Sequence, residues 1–295
     1  MKRALWLLEA GLYFIFSTPL AILPYRLSIK AGEILGLLLF FAWGSRRKIA
    51  IENLKKTVES RALSISEPAE KVIRQNFKNL GRSLAEVIKI YYGLGKKLVD
   101  SVEVEGIENF NRAKAKGRGI LFITGHCGNW ELGAVVTSVK LSGVAGVVRP
   151  MNNPHINKFI EKTRQKYGNS VIYKKGALKG IIKRLKAGGS VGILMDQAVL
   201  AEEGYVIDFL GRGAWTTKAP ALIARKTGAA VLPIFMHREG KDHRMKIYPE
   251  VNLSDIADNE MAVLEDTKRF SGYIENYIKE NPSEWLWIHR RWKRV

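Results

Sequence analysis

Short apolar runs alternate with amphipathic stretches between residues 119 and 236, and this alternation limits the fold more than any other feature of the chain. The apolar runs predict strands at 119–124, 144–148, 170–173, 191–195 and 230–236. Helical patterns separate them at 129–141, 153–166, 177–186 and 218–227. A repeated strand-then-helix order predicts a mostly parallel sheet covered by helices on both faces. The fold class is therefore α/β.

Three further stretches complete the predicted domain. Helical spacing at 51–95 indicates an amphipathic layer over the sheet, and 260–280 reads as a long helix. A strand at 245–248 is expected to lie antiparallel at an edge, which makes the sheet mixed. Ligand sites of such sheets lie beyond the carboxyl ends of the strands. His126 and Asp196 both follow predicted strands directly, so we expect the site there.

The amino-terminal end has the character of a membrane anchor. Residues 4–24 form an apolar run about as long as a helix needs to cross a bilayer. A second apolar run at 34–43 is too short to span alone, and basic residues flank both. We interpret residues 1–45 as an anchor, spanning or re-entrant, with interfacial helices. Residues 46–295 then form a single α/β domain on the cytoplasmic side. The alternative is a buried hydrophobic helix of a soluble protein.

The charge of the chain favours polyanionic partners. Its 48 lysines and arginines exceed its 28 acidic residues, so the formal net charge is +20. Such a surface attracts nucleic acid, anionic lipid, phosphorylated substrates or an acidic protein. The sequence contains no zinc-finger spacing, and its aromatic residues do not alternate with basic ones as in single-strand binding faces. Nucleic acid is therefore not an expected partner.

The segment Gly-His-Cys-Gly-Asn-Trp-Glu at 125–131 carries the candidate chemistry. His126 falls in the turn after a strand, Asn129 is a natural helix N-cap, and Glu131 falls in the first helical turn. Glu131 is expected to hydrogen-bond one imidazole nitrogen, which leaves the other free to take a proton. With no serine beside it, His126 would deprotonate a hydroxyl of the substrate. We therefore predict direct acyl transfer from a thioester, with backbone N–H groups at the oxyanion.

Two alternatives accompany this interpretation. Cys127, the only cysteine of the chain, lies beside His126 and is an alternative nucleophile. A core histidine with a solvated glutamate is the non-catalytic alternative. The remaining histidines show no metal-ligand spacing, so we expect no metal. His289 lies in a tail rich in tryptophan and arginine, which we interpret as packing and interfacial contact.

These motifs resemble the His-x4-Asp/Glu motif of the glycerolipid (lysophospholipid) acyltransferase superfamily, and most of all its lipid A biosynthesis acyltransferase branch. That branch includes the lauroyl and myristoyl transferases. Further blocks carry the resemblance across most of the chain. They are Arg-Pro-Met-Asn-Asn-Pro at 149–154, Lys-Lys-Gly-Ala-Leu-Lys-Gly at 174–180, Gly-Ile-Leu-Met-Asp-Gln at 192–197, Phe-Leu-Gly-Arg at 209–212, Thr-Thr-Lys-Ala-Pro at 216–220 and the tail at 281–292.

The resemblance implies a glycerolipid-acyltransferase-like fold and an O-acyltransferase without a cofactor. The donor would be acyl carrier protein and the acceptor a hydroxyl of a lipid A precursor, an anionic glycolipid, at the bacterial inner membrane. His126 and Glu131 match the family's catalytic pair. The candidate substrate-binding residues are Asn129, Arg149, Arg164, Asp196, Gln197 and Arg212.

Individual roles follow from side-chain chemistry. Arg149, Arg164 and Arg212 lie in the motif blocks and are expected to bind phosphate oxygens, with solvated surface as the alternative. Capping of a helix or loop competes with a catalytic role for Asp196. Other acceptors remain open, namely a different glycolipid or a lysophospholipid, and so does acyl-coenzyme A as the donor. The alternative from another class is a non-catalytic basic protein that binds anionic membrane or nucleic acid.

Overall fold

A computed structural model describes residues 2–173 and 176–293. The helices in these ranges are α1 (Lys2–Ile22), α2 (Tyr25–Ala42), α3 (Gly44–Glu59), α4 (Ala69–Tyr91), α5 (Lys96–Ser101), α6 (Ile107–Ala115), α7 (Trp130–Lys140), α8 (Pro154–Lys166), α9 (Ala177–Lys186), α10 (Ala219–Thr227) and α11 (Asn259–Glu280). The strands are β1 (Glu103–Glu105), β2 (Ile120–Thr124), β3 (Val144–Val148), β4 (Ser170–Tyr173), β5 (Ser190–Leu194), β6 (Gly204–Phe209), β7 (Arg212–Thr217), β8 (Ala230–Glu239) and β9 (Asp242–Ile247).

The described strands form a seven-stranded sheet in the order β1-β9-β8-β2-β5-β3-β4. The five strands from β8 to β4 are parallel to one another, whereas β9 runs antiparallel to β8 and β1 runs parallel to β9. This confirms the mostly parallel mixed sheet. The strand expected at 245–248 is antiparallel as predicted, but it is not the edge. β1 pairs with its outer side and takes that position.

Helices cover both faces of this sheet, as alternate residues of β2 show. Leu121 and Ile123 enter one buried apolar cluster, whereas Ile120 and Phe122 enter a second cluster on the other face. Successive side chains of a strand point to opposite faces, so a strand that is apolar throughout requires two covers. This is why the strand reads as a continuous hydrophobic run in the sequence.

The register of the central strands brings the candidate chemistry together. β2 and β5 are parallel neighbours, and Thr124 of β2 pairs with Leu194 of β5. His126 and Asp196 each follow two residues later, so they leave the sheet side by side at its carboxyl edge. The fold thus juxtaposes two residues that are 70 positions apart in the chain.

The structure adds a two-stranded hairpin, β6–β7, which the sequence pattern does not predict. Its two-residue connection places Leu210 at φ 55° and Gly211 at φ 76°. Two consecutive positive φ angles are typical of the turns that fit the twist of a hairpin. Leu-Gly lacks the Asn-Gly or Asp-Gly signature of such turns. Burial of the leucine, and a 3.0 Å hydrogen bond from its N–H to Glu275, hold the turn instead.

Helices α2 and α4 pack backbone to backbone. A Cβ atom added at Gly36 would lie 2.1 Å from the carbonyl oxygen of Phe77, and one at Gly81 would lie 2.0 Å from that of Gly32. These glycines are therefore required by the close approach of the two helices rather than by a turn. The contact fixes the second helix of the chain to the α/β body.

Helix α1 is a candidate membrane anchor. Within the described ranges it is the helix that is long and apolar enough by itself to cross a membrane. Helices α2 and α3 meet the same test only as a pair, with a bend of 91° between them. A boundary at residue 45 between anchor and α/β domain stays a prediction.

Candidate active site

The imidazole of His126 is held by Asp196. Nδ1 lies 2.8 Å from one carboxylate oxygen, and the backbone N–H of His126 donates to the other oxygen at 2.9 Å. One buried carboxylate thus fixes both the ring and the turn that carries it. With Nδ1–H donating to the carboxylate, Nε2 keeps its lone pair and is the nitrogen able to accept a proton.

Asp196 is 1% exposed and remains ionised. Burial raises its pKa, but the charge and hydrogen bonds of His126 and the indole N–H of Trp285 more than offset this, so the pKa lies well below its ordinary value. The indole donates at 2.8 Å. Three donors therefore converge on one carboxylate, which is the usual condition for a stable buried charge.

The pKa of His126 is raised above 6.5 by the same arrangement. Burial of the ring lowers it, and the negative charge and hydrogen bond of Asp196 raise it by more. The charge of Glu131 adds to the increase. A base whose pKa is raised holds a proton more firmly once it has taken one, while Asp196 stabilises the resulting imidazolium.

Glu131 forms hydrogen bonds with Arg164 and Tyr91 rather than with His126, the partner that the sequence predicts. Its carboxylate accepts two hydrogen bonds from Arg164, at 2.7 and 2.9 Å, and one from the hydroxyl of Tyr91 at 2.8 Å. The expectation that Glu131 holds the imidazole is therefore corrected, because Asp196 occupies Nδ1. The reason is position. Glu131 lies in the first turn of α7 and binds α8 and the end of α4, whereas Asp196 follows the strand next to β2.

The free side of the ring is lined by Gln197 and Trp130. The amide nitrogen of Gln197 lies 3.3 Å from Nε2 of His126. The ring centroids of His126 and Trp130 are 5.1 Å apart, edge to face. The amide contact is long for a hydrogen bond, so a hydroxyl of a substrate can replace it at small cost.

Cys127 faces away from this chemistry. It is 1% exposed and belongs to the apolar core, and burial raises the pKa of its thiol well above the ordinary value. The charges of Asp196 and Glu284 raise it further. A thiol is nucleophilic as the thiolate, so this environment does not favour Cys127 as a nucleophile.

The carboxyl-terminal tail forms the back wall of the turn. The N–H of Gly128 donates to the carbonyl of Glu284 at 2.8 Å, and the N–H of Leu286 donates to the carbonyl of His126 at 3.1 Å. The sequence suggested packing for this tail and missed the role of Trp285. A buried indole N–H needs a partner, but no local pattern tells which residue that is.

Asn129 is a structural residue rather than a ligand. Its side-chain oxygen accepts from the N–H of Leu132 at 3.1 Å, which confirms the predicted N-cap. Its amide donates to Glu86 at 2.8 Å, and the residue is buried. Both ends of the side chain are thus occupied by the protein, so its assignment as a substrate-binding residue is corrected.

Glu86 is itself the centre of a buried network behind the site. Arg238 donates to both of its oxygens, at 2.9 and 2.5 Å, and the hydroxyl of Tyr25 donates at 2.8 Å. Burial raises the pKa of Glu86, and the nearby His243 and the hydrogen-bonded Arg238 lower it by more, to about 2. The network joins α2, α4 and the start of α7.

The three candidate arginines lie in different places. Arg149 is exposed just after β3, at the same edge of the sheet as His126. Arg164 is bound to Glu131 in the site. Arg212, on β7, stacks 4.1 Å from the ring centroid of Trp292 of the tail, and its expected role in phosphate binding stays a prediction. Lys174 and Lys175 of the predicted 174–180 block lie outside the described residues.

An apolar cavity lies between α7 and the sheet. Its part nearest the carboxyl edge of the sheet is lined by Thr124, Trp130, Glu131 and Arg164. Its deeper part is lined by apolar side chains and small residues, among them Val135, Val144, Gly146, Val171, Gly192 and Ile234. Trp130, which lines the cavity, also contacts the ring of His126, so the cavity lies next to this histidine.

Comparisons with known proteins agree on one family. The sequence profile described as bacterial lipid A biosynthesis acyltransferase matches residues 2–294. The chain is 28% identical to the lipid A biosynthesis lauroyltransferase of Escherichia coli K12, over 92% of this chain and 87% of that protein. It is 27% identical to the palmitoleoyltransferase of the same organism, over 92% and 86%. A phosphatidylinositol mannoside acyltransferase of Mycolicibacterium smegmatis is 24% identical, over 75% and 72%.

Proposed function

This chain belongs to the bacterial lipid A biosynthesis acyltransferase family, and we propose that it transfers a fatty acyl chain from acyl carrier protein to a hydroxyl of a lipid A precursor. The family makes the chain an O-acyltransferase. The observation that carries the mechanism is the 2.8 Å contact between His126 Nδ1 and Asp196, which leaves Nε2 as the nitrogen able to accept a proton, next to Trp130 of the apolar cavity.

His126 is the general base of this mechanism. Its Nε2 takes the proton of the acceptor hydroxyl while the hydroxyl oxygen attacks the thioester carbonyl. Asp196 stabilises the imidazolium that forms. Collapse of the tetrahedral intermediate breaks the C–S bond, and the imidazolium returns the proton to the departing sulfur. The products are an ester of the glycolipid and the free thiol of the carrier, so no cofactor is needed.

Stabilisation of the oxyanion is assigned to the start of α7. This helix begins at Trp130, whose ring contacts His126, so its N-terminal N–H groups lie close to the base. The N-terminus of a helix carries a partial positive charge and unpaired N–H donors. Donors fixed before the reaction stabilise a developing oxyanion without reorganisation, which is typically a large term in acyl transfer.

The donor chain is assigned to the apolar cavity. A fatty acyl chain gains about 0.8 kcal/mol for each methylene group that it removes from water. Glu131 and Arg164 lie at the entrance, where their mutual hydrogen bonds leave neither charge unpaired beside hydrocarbon. In this proposal Glu131 is a positioning residue for Arg164 and raises the pKa of His126 by its charge.

We assign the polar and basic surface of the protein to binding of the acceptor, the carrier protein and the membrane. Arg149 is exposed at the catalytic edge and can bind a phosphate of the acceptor in bidentate fashion. The net charge of +20 favours association with an acidic carrier protein and with an anionic membrane. We place the catalytic domain at the cytoplasmic side of the inner membrane, where the precursor and the carrier would meet.

The test is acyl transfer by purified variants, followed by mass spectrometry of the lipid A precursor. His126→Ala is expected to reduce turnover about 10²- to 10⁴-fold, as for loss of a general base. Cys127→Ser is the control for the alternative nucleophile and should keep turnover. Thermal unfolding of each variant shows that it is folded. Wild-type turnover by folded His126→Ala, or loss of turnover confined to Cys127→Ser, would contradict the mechanism.

A second acceptor class is favoured by one observation. The similarity to the phosphatidylinositol mannoside acyltransferase shows that related chains act on another glycolipid. Competition between a lipid A precursor, a mannosylated phosphoinositide and a lysophospholipid, each with acyl carrier protein or acyl-coenzyme A as donor, separates these cases. Preference for the lipid A precursor is the expected result.

A further inference from the structure

The first half of α1 is fixed to the α/β body. The amide of Asn153, which caps α8, donates to the carbonyl of Trp6 at 2.7 Å and to the carboxylate of Glu9 at 3.0 Å. The rings of Phe14 and Phe159 lie 5.1 Å apart, edge to face. The helix that is apolar enough to span a membrane therefore lies along the amino-terminal part of α8.

The second half of α1 is fixed to α4. The hydroxyl groups of Ser17 and Tyr92 lie 2.7 Å apart. The buried ammonium of Lys89 donates to the carbonyls of Ala21 and Leu23 at 2.8 and 2.5 Å, which satisfies the end of α1. Contacts thus follow α1 from residue 6 to residue 23, and the helix is not free to leave the body at either end.

The surface beneath α1 is incompatible with a hydrocarbon environment. On either side of Phe159, α8 carries the charged side chains of Lys158, Glu161 and Lys162. Each charged side chain at the centre of a bilayer costs about 2.5–3.5 kcal/mol or more. A perpendicular crossing by α1 would either bring this helix into the bilayer or break every contact described above.

In contrast to α8, the faces of α1 and α2 that point away from the α/β body are apolar. The large apolar side chains exposed there are Leu5, Leu7, Leu8, Leu12, Ile15, Phe16 and Ile22 on α1, and Leu27, Ile34, Leu38, Leu39 and Phe41 on α2. Exposed basic residues accompany them, namely Lys2, Arg3, Arg26, Lys30 and Lys48. Apolar surface of this extent marks a binding site, and neighbouring cations match anionic headgroups.

We propose that α1 and α2 lie side-on in a single leaflet of an anionic bilayer, so that the amino-terminus and the α/β body stay on the same side of the membrane. Helix α1 presents its apolar face to the acyl chains and its polar contacts to the body. Helix α2 continues this surface, since its inner face is locked to α4 by Gly36 and Gly81. Lipid is thus the occupant of the face, and neither α1 nor α2 crosses the bilayer. This geometry does not depend on the proposed acyl transfer.

Cysteine labelling from the two sides of the membrane tests this geometry. Lys2→Cys and Lys241→Cys each place a thiol at an exposed position, the second in the turn between β8 and β9. The buried Cys127 makes the unmodified protein the background control. The variants are exposed to a membrane-impermeant maleimide in right-side-out and in inverted vesicles. Both positions are expected to label in the same orientation only. Labelling from opposite sides would show a spanning α1 and overturn the proposal.

A depth measurement provides the second readout. Leu12→Cys carries a nitroxide at the middle of α1, on vesicles of anionic and zwitterionic lipid. A side-on helix places it about 5–10 Å below the headgroups. A spanning helix places it near the centre of a hydrocarbon core about 30 Å thick. A nitroxide at the centre, or a protein that does not sediment with these vesicles, would contradict side-on insertion, whatever the protein's activity.

Discussion

At the scale of single residues, the pairing of His126 with Asp196 should set the pH range of the proposed acyl transfer. As the proposed general base, His126 can accept a proton only when its imidazole is neutral, so kcat/KM should fall as the pH drops through its pKa. That pKa is raised because Asp196 is negative and bonded to Nδ1. Asp196→Asn removes the charge, which should move the acidic limb of the pH profile to lower pH and reduce the plateau rate. An unmoved limb in a folded Asp196→Asn protein would show that Asp196 does not act on the base.

Trp285 and Trp287 form a matched pair of variants that tests the hydrogen bond to the carboxylate of Asp196. Trp285 and Trp287 are both fully buried in the tail, but only the indole of Trp285 bonds Asp196, whereas that of Trp287 bonds the carbonyl of Pro282. A hydrogen bond to a charged group is worth about 1.5–3 kcal/mol. Trp285→Phe should therefore lower kcat about tenfold or more beyond Trp287→Phe, at similar loss of thermal stability. Equal kcat in the two variants would make the indole a packing group alone.

At the scale of elements, the crossing of α2 and α4 leaves no space for a methyl group. Gly81→Ala should destabilise the protein by about 1–3 kcal/mol or more, because its Cβ meets backbone that cannot move aside. Gly272→Ala, in the middle of α11 with nothing within 4 Å, should stabilise by about 0.5–1 kcal/mol. Chemical denaturation of both variants measures the difference. Equal stability would mean that α2 is not held against α4 as described.

A substitution on strand β3 can reduce the volume of the proposed acyl cavity. A Cβ at Gly146 meets its first neighbour, Val148, only at 3.9 Å, and the residue lines the deep part of the cavity. Gly146→Val should therefore fit the strand and occupy volume that a long chain needs. Each methylene displaced is worth about 0.8 kcal/mol, or roughly fourfold in kcat/KM. The ratio of kcat/KM for long and short donors should shift towards short ones. An unchanged ratio would place the acyl chain elsewhere.

At the scale of the whole molecule, most of the strands and helices can be predicted from local sequence patterns. The parallel strands, their helices and the Asn129 and Asn153 caps follow from periodicity and capping signals, because each is decided within about ten residues. The β6–β7 hairpin does not follow from such local signals. Its turn uses Leu210 and Gly211, and its stability comes from a buried leucine and from Glu275 on a distant helix.

The candidate site likewise combines features that the sequence predicts with contacts that depend on the tertiary fold. The sequence indicates that His126 and Asp196 both end strands, but their pairing depends on β2 and β5 being neighbours, which is a property of the strand order. Glu131 is near in sequence and was therefore the natural partner to expect. Arg164 and Tyr91 bind it because α8 and α4 approach the first turn of α7 in space. Tertiary contacts of this kind leave no trace in the spacing of residues.

The pairing of the tail with the histidine turn has a consequence for synthesis of the chain. Residues 284–286 provide the carbonyl, the N–H and the indole that complete the turn and its aspartate. The apolar helices at the other end leave the ribosome some 240 residues earlier. A nascent chain can therefore present these helices to a membrane long before residues 284–286 are made and can hold the histidine turn, and we expect no acyl transfer before that point.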